Sequence, residues 1–161
     1  LVDLWAYWQG LPASDMPSQP HELGFPYSIR RAVGLWNLRY LRDDFTITAD
    51  LSAEATRGRY LVEALAHCAE CHTPRDALGG LDRAAWMAGA PNPSGSGTIP
   101  PLTPDKLTWS QAEIAAYLND GFTPDFDSAG GSMVSVIANM AMLSDADRLA
   151  IAAYLKALPA P

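Results

Sequence analysis

The sequence predicts an all-α fold in which amphipathic helices are separated by long loops. Four segments place apolar residues at positions i, i+3, i+4 and i+7, the spacing of one helix face. Serines suited to cap a helix precede three of these segments, and stretches rich in proline, glycine and serine lie between them. Alternating apolar and polar residues, typical of strands, are almost absent. Loops of this length are uncommon in a compact domain, and they indicate that the loops surround a large bound group.

The composition limits the classes of function. With 161 residues, 48% of them hydrophobic and 18% charged, the chain suits one globular domain plus an appendage. No apolar run approaches the roughly 20 residues that cross a bilayer, so no membrane span is predicted. The formal net charge of −7 offers no basic face for phosphates, which argues against nucleic acid as a partner.

The first predicted helix lies at the start of the chain and is echoed near its end. Its apolar stripe consists of Leu4, Tyr7, Trp8 and Leu11. Residues 7–13 match residues 154–160 at a constant offset, with a tyrosine, a leucine, a proline and an alanine in common. A match this short can arise by chance. We favour a second explanation, in which residues 1–26 are the terminal helix of a preceding domain of the same kind and a proline-rich linker. The chain would then be a piece of a longer polypeptide.

A connecting helix is predicted next, within residues 27–50. It would cover residues 29–42, with Ser28 as its cap and an apolar stripe made of Ile29, Val33, Trp36 and Tyr40. Such a helix either packs on its own chain or docks a partner subunit, and both interpretations stay open.

The other three helices belong to residues 51–161, the second predicted domain. Ser52, Ser110 and Ser144 are their expected caps, Glu113 completes a capping box with Ser110, and Pro159 ends the last helix. Their apolar stripes are Leu61, Ala64, Leu65 and Cys68; Ile114, Tyr117, Leu118 and Gly121; and Ile151, Tyr154, Leu155 and Leu158. Residues 89–104 and 121–132 are the long loops between them.

Both cysteines of the chain lie within residues 67–72, which read His-Cys-Ala-Glu-Cys-His. A zinc site would need two further ligands, and the remaining histidines, His21 and His67, do not form a second pair. A thioredoxin-like dithiol would sit at a turn from strand to helix, which this sequence does not predict. The third chemistry with this spacing is covalent haem attachment. In it, Cys68 and Cys71 form thioethers with the haem vinyl groups and His72 ligates the iron, so every defined position of C-x-x-C-H has a role.

The second axial ligand of the iron has to come from elsewhere in the chain. The candidates are Met16, Met87, Met133, Met140, Met142, His21 and His67. His67 is too close to Cys68 to reach the opposite haem face, and Met140 and Met142 are expected to pack against the last helix. Met133 follows two glycines, which let the backbone approach the haem edge. We therefore predict Met133 as the sixth ligand.

Taken together, these features resemble a class I c-type cytochrome. The resemblance covers residues 51–161 and rests on C-A-E-C-H, on the Trp-Ser start of the next helix, on the methionine after two glycines and on the L-x-x-L-P end of the last helix. The family fold implies helices and long loops wrapped around one haem c. It also implies that a helix over Ala53–His67 crosses a terminal helix over Asp145–Leu158, with Gly58 allowing their close approach.

Within this class the chain is similar to the C-terminal haem domain of multi-haem cytochrome subunits. The similarity rests on Y-L-V-E-A-L-A-H-C-A-E-C-H-T-P-R, on A-G-G-S-M-V-S-V-I and on F-P-Y-S-I-R. Those subunits serve bacterial periplasmic dehydrogenases for alcohols, aldehydes and sugar acids. The resemblance implies three partners: a preceding haem domain of the same protein, a dehydrogenase catalytic subunit and a downstream redox acceptor. It also implies a periplasmic location, with any membrane association made through other subunits.

The resemblance implies roles for three further residues. Trp109 would either donate its indole N–H to a haem propionate or serve as a plain core residue. Arg75 would either neutralise a propionate or face solvent. Pro101 would line the pocket at a place where relatives often have an asparagine, so the side-chain contact expected of that asparagine is missing.

The expected function is electron transfer without catalysis. With both axial positions filled by the protein, no substrate reaches the iron. The alternative is a haem enzyme whose sixth ligand is displaceable and which acts on a small substrate. A zinc or dithiol module is the third hypothesis, which covalently retained haem would exclude.

Overall fold

A computed structural model describes residues 1–93 and 95–159 of the chain. Residues 160 and 161, which end the sequence repeat and the second predicted domain, lie outside the described residues, as does residue 94. The α-helices of the described ranges are Val2–Gln9 (α1), Ala32–Tyr40 (α2), Ala53–Arg59 (α3), Ala69–His72 (α4), Gln111–Asp120 (α5), Met133–Met140 (α6) and Asp145–Lys156 (α7). The prediction of an all-α fold is confirmed.

Four further elements occur in the described part of the chain. A π-helix covers Tyr60–Leu65 and a 3₁₀-helix covers Arg83–Ala85. Strands β1 (Ala90–Pro91) and β2 (Thr98–Ile99) pair antiparallel, with Ala90 opposite Ile99.

The chain divides into two compact units, and the first is Leu1–Arg39. It contains α1 and most of α2, neither of which buries a residue. The predicted start of the connecting helix at Ile29, with Ser28 as its cap, is wrong. The amides of Ser28 and Ile29 donate to the carbonyls of Gly24 and Pro26, so this stretch forms turns and the helix begins three residues later.

The second unit begins with the segment Tyr40–Ile47, which runs from the last residue of α2 into irregular chain and which we name the strap. At one end of the strap, the Tyr40 hydroxyl donates to the Asp76 carboxylate at 2.6 Å. The Tyr40 ring lies so close to Gly80 that a Cβ there would stand 2.1 Å from it. At the other end, the amide of Thr46 donates to the Glu63 carboxylate at 2.6 Å. The strap is therefore fixed to the second unit at both ends.

A polar network joins the strap to the interior of the second unit. Glu63 also accepts a hydrogen bond from the hydroxyl of Tyr154, which lies on α7 and is fully buried. Arg59 donates to the carbonyl of Ile47 at 2.8 Å, and its guanidinium lies 4.5 Å from the centre of the Phe45 ring. Burial raises the pKa of Tyr154, and the facing Glu63 carboxylate raises it further. Tyr154 is thus a hydrogen-bond donor throughout the physiological pH range.

The helix predicted over residues 53–67 forms in two parts. Ser52 caps α3 as predicted, with its hydroxyl accepting from the amide of Ala55 at 3.1 Å. From Tyr60 to Leu65 the backbone widens into the π-helix, and His67 has a φ of 53°, which no right-handed helix tolerates. The wider turns rotate the side chains, so Val62 is fully buried whereas Leu65, which the 3.6-residue period predicted to be buried, is exposed.

The packing of α3 against α7 forms the centre of the second unit. A Cβ placed on Gly58 would lie 1.8 Å from the carbonyl oxygen of Ala150 and 2.8 Å from Cβ of Tyr154. The two backbones therefore touch at Gly58, where the sequence predicted close approach. The stripe predicted for the last helix is buried as well, since Ile151, Tyr154, Leu155 and Leu158 all belong to the core.

Helix α5 packs against α7, and α6 packs against α5. The capping box of Ser110 and Glu113 is present, and α5 ends at Gly121, whose φ of 78° is typical of a glycine C-cap. Helix α6 was not predicted, although its apolar residues follow the same i, i+3, i+4 and i+7 spacing as the predicted stripes: Met133, Val136, Ile137 and Met140. Its N-cap residue Ser132 makes no capping hydrogen bond. Tertiary packing holds α6 in place, and Ile137 is its buried residue.

The core of the second unit contains residues of the strap, the π-helix, α4, α5, α6 and α7. Its buried apolar members are Ile47, Leu61, Val62, Ala69, Met87, Ile114, Leu118, Ile137, Ala150, Ile151, Ala152, Tyr154, Leu155 and Leu158. None of the helices in the described part of the chain combines the length and the apolar character that crossing a membrane requires.

An ion pair between α3 and α7 predicts how the stability of this unit depends on pH. Arg57 contacts Asp147 with Nε–Oδ1 and Nη2–Oδ2 distances of 2.8 and 3.2 Å. The Arg57 hydrogen bond holds the pKa of Asp147 below its usual value. A lowered folded-state pKa stabilises the fold above the unfolded-state pKa of about 4, and this stabilisation is lost as the pH falls through the folded-state pKa. We expect Asp147→Asn to lower the melting temperature at pH 7 and to converge with the unsubstituted protein in acid, in melting curves recorded across that range.

The partner substitution supplies the control for this prediction. Arg57→Gln removes the same pair, so the combined effect of both changes should be smaller than the sum of the two single effects. Full additivity at pH 7 would contradict the assignment. The individual effects are expected to be small, because half of the Arg57 side chain is exposed and solvent screens the pair.

Candidate haem-binding site

The two cysteines lie on one helical turn directly after the π-helix. The amide of His72 donates to the carbonyl of Cys68 at 3.0 Å, which closes the turn of α4. Residues three apart in a helix project from the same side, so Cys68 and Cys71 form a pair on one face. Both thiols are free, and Cys71 is exposed whereas Cys68 is half-buried.

The thiol chemistry of this turn does not suit a thiolate site. Burial raises the pKa of the Cys68 thiol to about 11, so this sulfur stays protonated at neutral pH. Across residues 1–93 and 95–159, no group of three or more His, Cys, Asp and Glu side chains is placed to hold a metal ion. The described residues therefore do not bring further ligands of these types next to the two thiols.

The ring of His72 is oriented by a backbone carbonyl that the sequence analysis did not single out. Its Nδ1 lies 2.7 Å from the carbonyl oxygen of Pro100. Because a carbonyl can only accept, Nδ1 carries the hydrogen and Nε2 keeps the lone pair that a metal requires. Burial lowers the pKa of His72, which favours this neutral imidazole. The sequence contains one indication of this contact, because Pro101 follows Pro100. The residue before a proline is extended, so its carbonyl makes no helical hydrogen bond and can accept one from a side chain.

Three loop segments hold this histidine in place. The amide of Gly89 donates to the carbonyl of His72 at 2.8 Å, and the amide of Met87 donates to the hydroxyl of Thr73 at 3.0 Å. The amide of Leu102, next to Pro101, donates in turn to the carbonyl of Met87 at 2.8 Å. Gly89 has a φ of 85°, and a Cβ there would stand 2.8 Å from the Ile99 carbonyl oxygen. The half-buried Pro101 thus belongs to the same loop assembly that carries the Pro100 carbonyl.

The predicted sixth ligand, Met133, is the first residue of α6. Its side chain is half-buried and packs at the edge of the core. Met140, at the opposite end of α6, is also partly buried against the core. Met142 is 78% exposed, so its predicted packing against the last helix is wrong. The turn that follows α6 places the neighbouring Leu143 against the core in its stead.

Comparison with known proteins gives the family. The profile of the family described as "Cytochrome c" matches residues 55–159. This chain belongs to the cytochrome c family. The predicted class I cytochrome fold is confirmed, and the cytochrome c domain lies within the second unit of the structure.

Three relatives carry cytochrome names. A protein called "Diheme cytochrome c-type" from Cereibacter sphaeroides is 53% identical over 160 residues, which cover 99% of this chain and 54% of that protein. The fructose dehydrogenase cytochrome subunit of Gluconobacter japonicus is 36% identical over 152 residues, covering 91% of this chain and 31% of that protein. The gluconate 2-dehydrogenase cytochrome c subunit of Pantoea cypripedii is 32% identical over 171 residues, covering 98% and 38%. The chain therefore spans about half or less of the length of these relatives.

The donor set of this cytochrome c domain fits haem c. Two free thiols three residues apart, an imidazole with its Nε2 available and a thioether side chain are the groups that this cofactor uses in proteins. The pairing of imidazole with thioether is typical of cytochromes that carry electrons.

The remaining candidates have local partners. The Trp109 ring meets Tyr117 edge-on at a centroid distance of 5.2 Å and packs against the core. Arg75 forms an ion pair with Glu70, and its guanidinium donates to the carbonyl of Gly79 at 2.8 Å. A propionate contact at either residue stays a prediction.

Proposed function

We propose that this cytochrome c domain is an electron carrier holding one haem c. Cys68 and Cys71 would form the thioethers, and His72 and Met133 would be the axial ligands. The observation that carries the proposal is the Cys68–His72 turn, in which two free thiols stand beside an imidazole whose Nδ1 is fixed by Pro100. When bound, haem c supplies a one-electron couple at its iron.

Residues of this chain would set the reduction potential of that couple. The Pro100 carbonyl orients the imidazole of His72 and increases its basicity. The Met133 thioether favours ferrous iron and raises the reduction potential. Filling both axial positions would keep small molecules from the iron, which is why we assign transfer of electrons rather than catalysis to this domain.

We further propose that the domain serves a dehydrogenase outside the cytoplasmic membrane. The relatives include cytochrome subunits of fructose and gluconate dehydrogenases, and another relative is named as a dihaem cytochrome. The sequence repeat of residues 7–13 and the partial coverage of these relatives support a longer protein, whose periplasmic location is what the family resemblance implies. In it, electrons would arrive from a catalytic subunit or a preceding haem domain and leave to a downstream acceptor.

Carbon monoxide binding tests the carrier function. The full-length protein, produced with its haem attached, should keep its ferrous spectrum for minutes under carbon monoxide. Rapid formation of a carbon monoxide complex would contradict the proposal and favour a haem enzyme with a displaceable sixth ligand.

Substitution of Met133 tests the ligand assignment. Met133→Leu should remove the share of the sulfur-to-iron charge-transfer absorbance that this domain contributes to the ferric protein, because leucine has similar bulk but no donor atom. Met140→Leu and Met142→Leu are the matched controls and should retain the band. Retention of the full band in Met133→Leu, or its loss in either control, would show that another methionine is the ligand.

A further inference from the structure

Arg148 is a buried cation at an unusual place in the fold. It lies in the first turns of α7, and only 8% of its side chain is exposed. A positive charge near a helix N-terminus opposes the helix dipole, which the acidic Asp145 and Asp147 of the same turns complement. Burying a charge is also unfavourable unless hydrogen bonds compensate it. The position of Arg148 therefore needs a reason outside α7.

The contacts of Arg148 point to the C-terminus of α6. Its Nη1 donates to the carbonyls of Met140 and Ala141 at 3.2 and 3.1 Å, and also to the carbonyl of Leu143. Carbonyls at the end of a helix lack partners within it, and they carry the negative end of its dipole. Arg148 thus binds the C-terminal end of α6 and pairs with Asp145 at the rim.

The opposite end of α6 has weaker anchors. Ser132 precedes the helix without capping it, and the amides of Met133 and Val134 donate to the carbonyls of Gly130 and Gly131 at 3.2 and 3.3 Å. Two consecutive glycines give this entry little rigidity of its own. In the middle of the helix, Ile137 is the buried anchor. The polar contacts that fix α6 along its axis therefore lie at the end away from Met133.

We propose that Arg148 is a positioning residue that holds α6 so that Met133 stays within reach of the iron. The inference rests on the proposed ligation by Met133. Within the described residues, the hydrogen bonds of the Arg148 side chain go to Met140, Ala141, Leu143 and Asp145, and none of them involves Met133 or the candidate ligands of α4. It acts through α6, which behaves as a short rigid rod between the Arg148 contacts and the ligand.

The test compares variants of the full-length, haem-loaded protein. Arg148→Met keeps much of the side-chain bulk and removes the donors. Arg148→Lys keeps the charge, but one ammonium does not reproduce the planar array of guanidinium donors. This variant is measured instead if Arg148→Met does not fold. Two quantities are followed against temperature: the sulfur-to-iron absorbance of the ferric protein and its helical circular dichroism. The rate of cyanide binding to the ferric protein is measured separately.

We expect the Arg148 variants to lose the sulfur-to-iron absorbance at a lower temperature than their helical signal. Cyanide should bind to them about tenfold faster or more, because the variants lose hydrogen bonds made by a charged group that hold α6. Asp145→Asn should behave like the unsubstituted protein, because it removes the ion pair at the rim and leaves the carbonyl contacts. Ile151→Val, a change in the core of α7, should lower both transitions together.

The failures of the two proposals are distinguishable. If the Arg148 variants bind cyanide at the rate of the unsubstituted protein, or lose both signals together as Ile151→Val does, the positioning role is refuted and the ligation by Met133 stands. If the unsubstituted protein itself lacks the sulfur-to-iron absorbance, the ligand assignment and the role of Arg148 are both refuted.

Discussion

Gly58→Ala should destabilise the cytochrome c domain by about 3 kcal/mol or more, at or above the upper end of what overpacking a core usually causes. The added methyl group would stand 1.8 Å from the carbonyl oxygen of Ala150. Neither neighbour can yield easily, because that oxygen belongs to the backbone of α7 and the next contact is Cβ of Tyr154. The two helices would have to move apart along the crossing that forms the centre of the unit. Denaturant unfolding followed by circular dichroism measures the loss.

The control for Gly58 is a second glycine within a helix. A Cβ on Gly34 of α2 would meet no atom within 4 Å. Gly34→Ala should therefore leave the unfolding of the cytochrome c domain unchanged, while it favours the helical state of α2 by up to about 1 kcal/mol. Equal destabilisation by the two substitutions would show that loss of glycine, rather than steric conflict with α7, is responsible.

Replacing both Cys68 and Cys71 by alanine should abolish covalent retention of haem completely. Each thioether needs a cysteine sulfur, and the chain has two cysteines. Either single substitution should leave one thioether and retain the haem. The mass of the denatured protein and haem staining after denaturing electrophoresis distinguish these cases.

His67→Asn is the matched control for the cysteine variants. His67 is the exposed neighbour of Cys68 and has a φ of 53°, a conformation that asparagine tolerates better than most residues. Covalent haem should be retained in full in this variant. Retention of haem mass by the double cysteine variant would refute the thioether assignment.

The sequence predicted those features of the fold that depend on local patterns. The caps at Ser52, Ser110 and Ser144 are present, because a side-chain oxygen that accepts from an amide two or three residues later needs no tertiary context. The close approach at Gly58 followed from the family resemblance. The π-helix was missed, because a periodicity of 3.6 residues carries no information about where a helix widens.

At the candidate site, the motif residues could be predicted from the sequence, whereas the groups that hold them in position could not. Cys68, Cys71 and His72 are adjacent in sequence, so spacing alone indicated their chemistry. The Pro100 carbonyl and the Thr73 hydroxyl act through loop contacts that only the fold creates. The sequence does indicate that Arg148 is buried, because it precedes Ile151 by three residues and so lies in a stripe that is otherwise apolar. A charged residue in such a stripe indicates a buried partner.

The strap determines where the chain should be cut when the cytochrome c domain is produced by itself. A fragment starting at residue 51 would contain the whole haem motif and would still lack Thr46, whose amide binds Glu63. That carboxylate, shared with the Tyr154 hydroxyl, would lose a backbone donor beside the core, and the Ile47 side chain would leave a gap there. A cut placed just ahead of Tyr40 keeps both, so the piece suited to crystallisation or electrochemistry starts 15 residues before the match to the family begins.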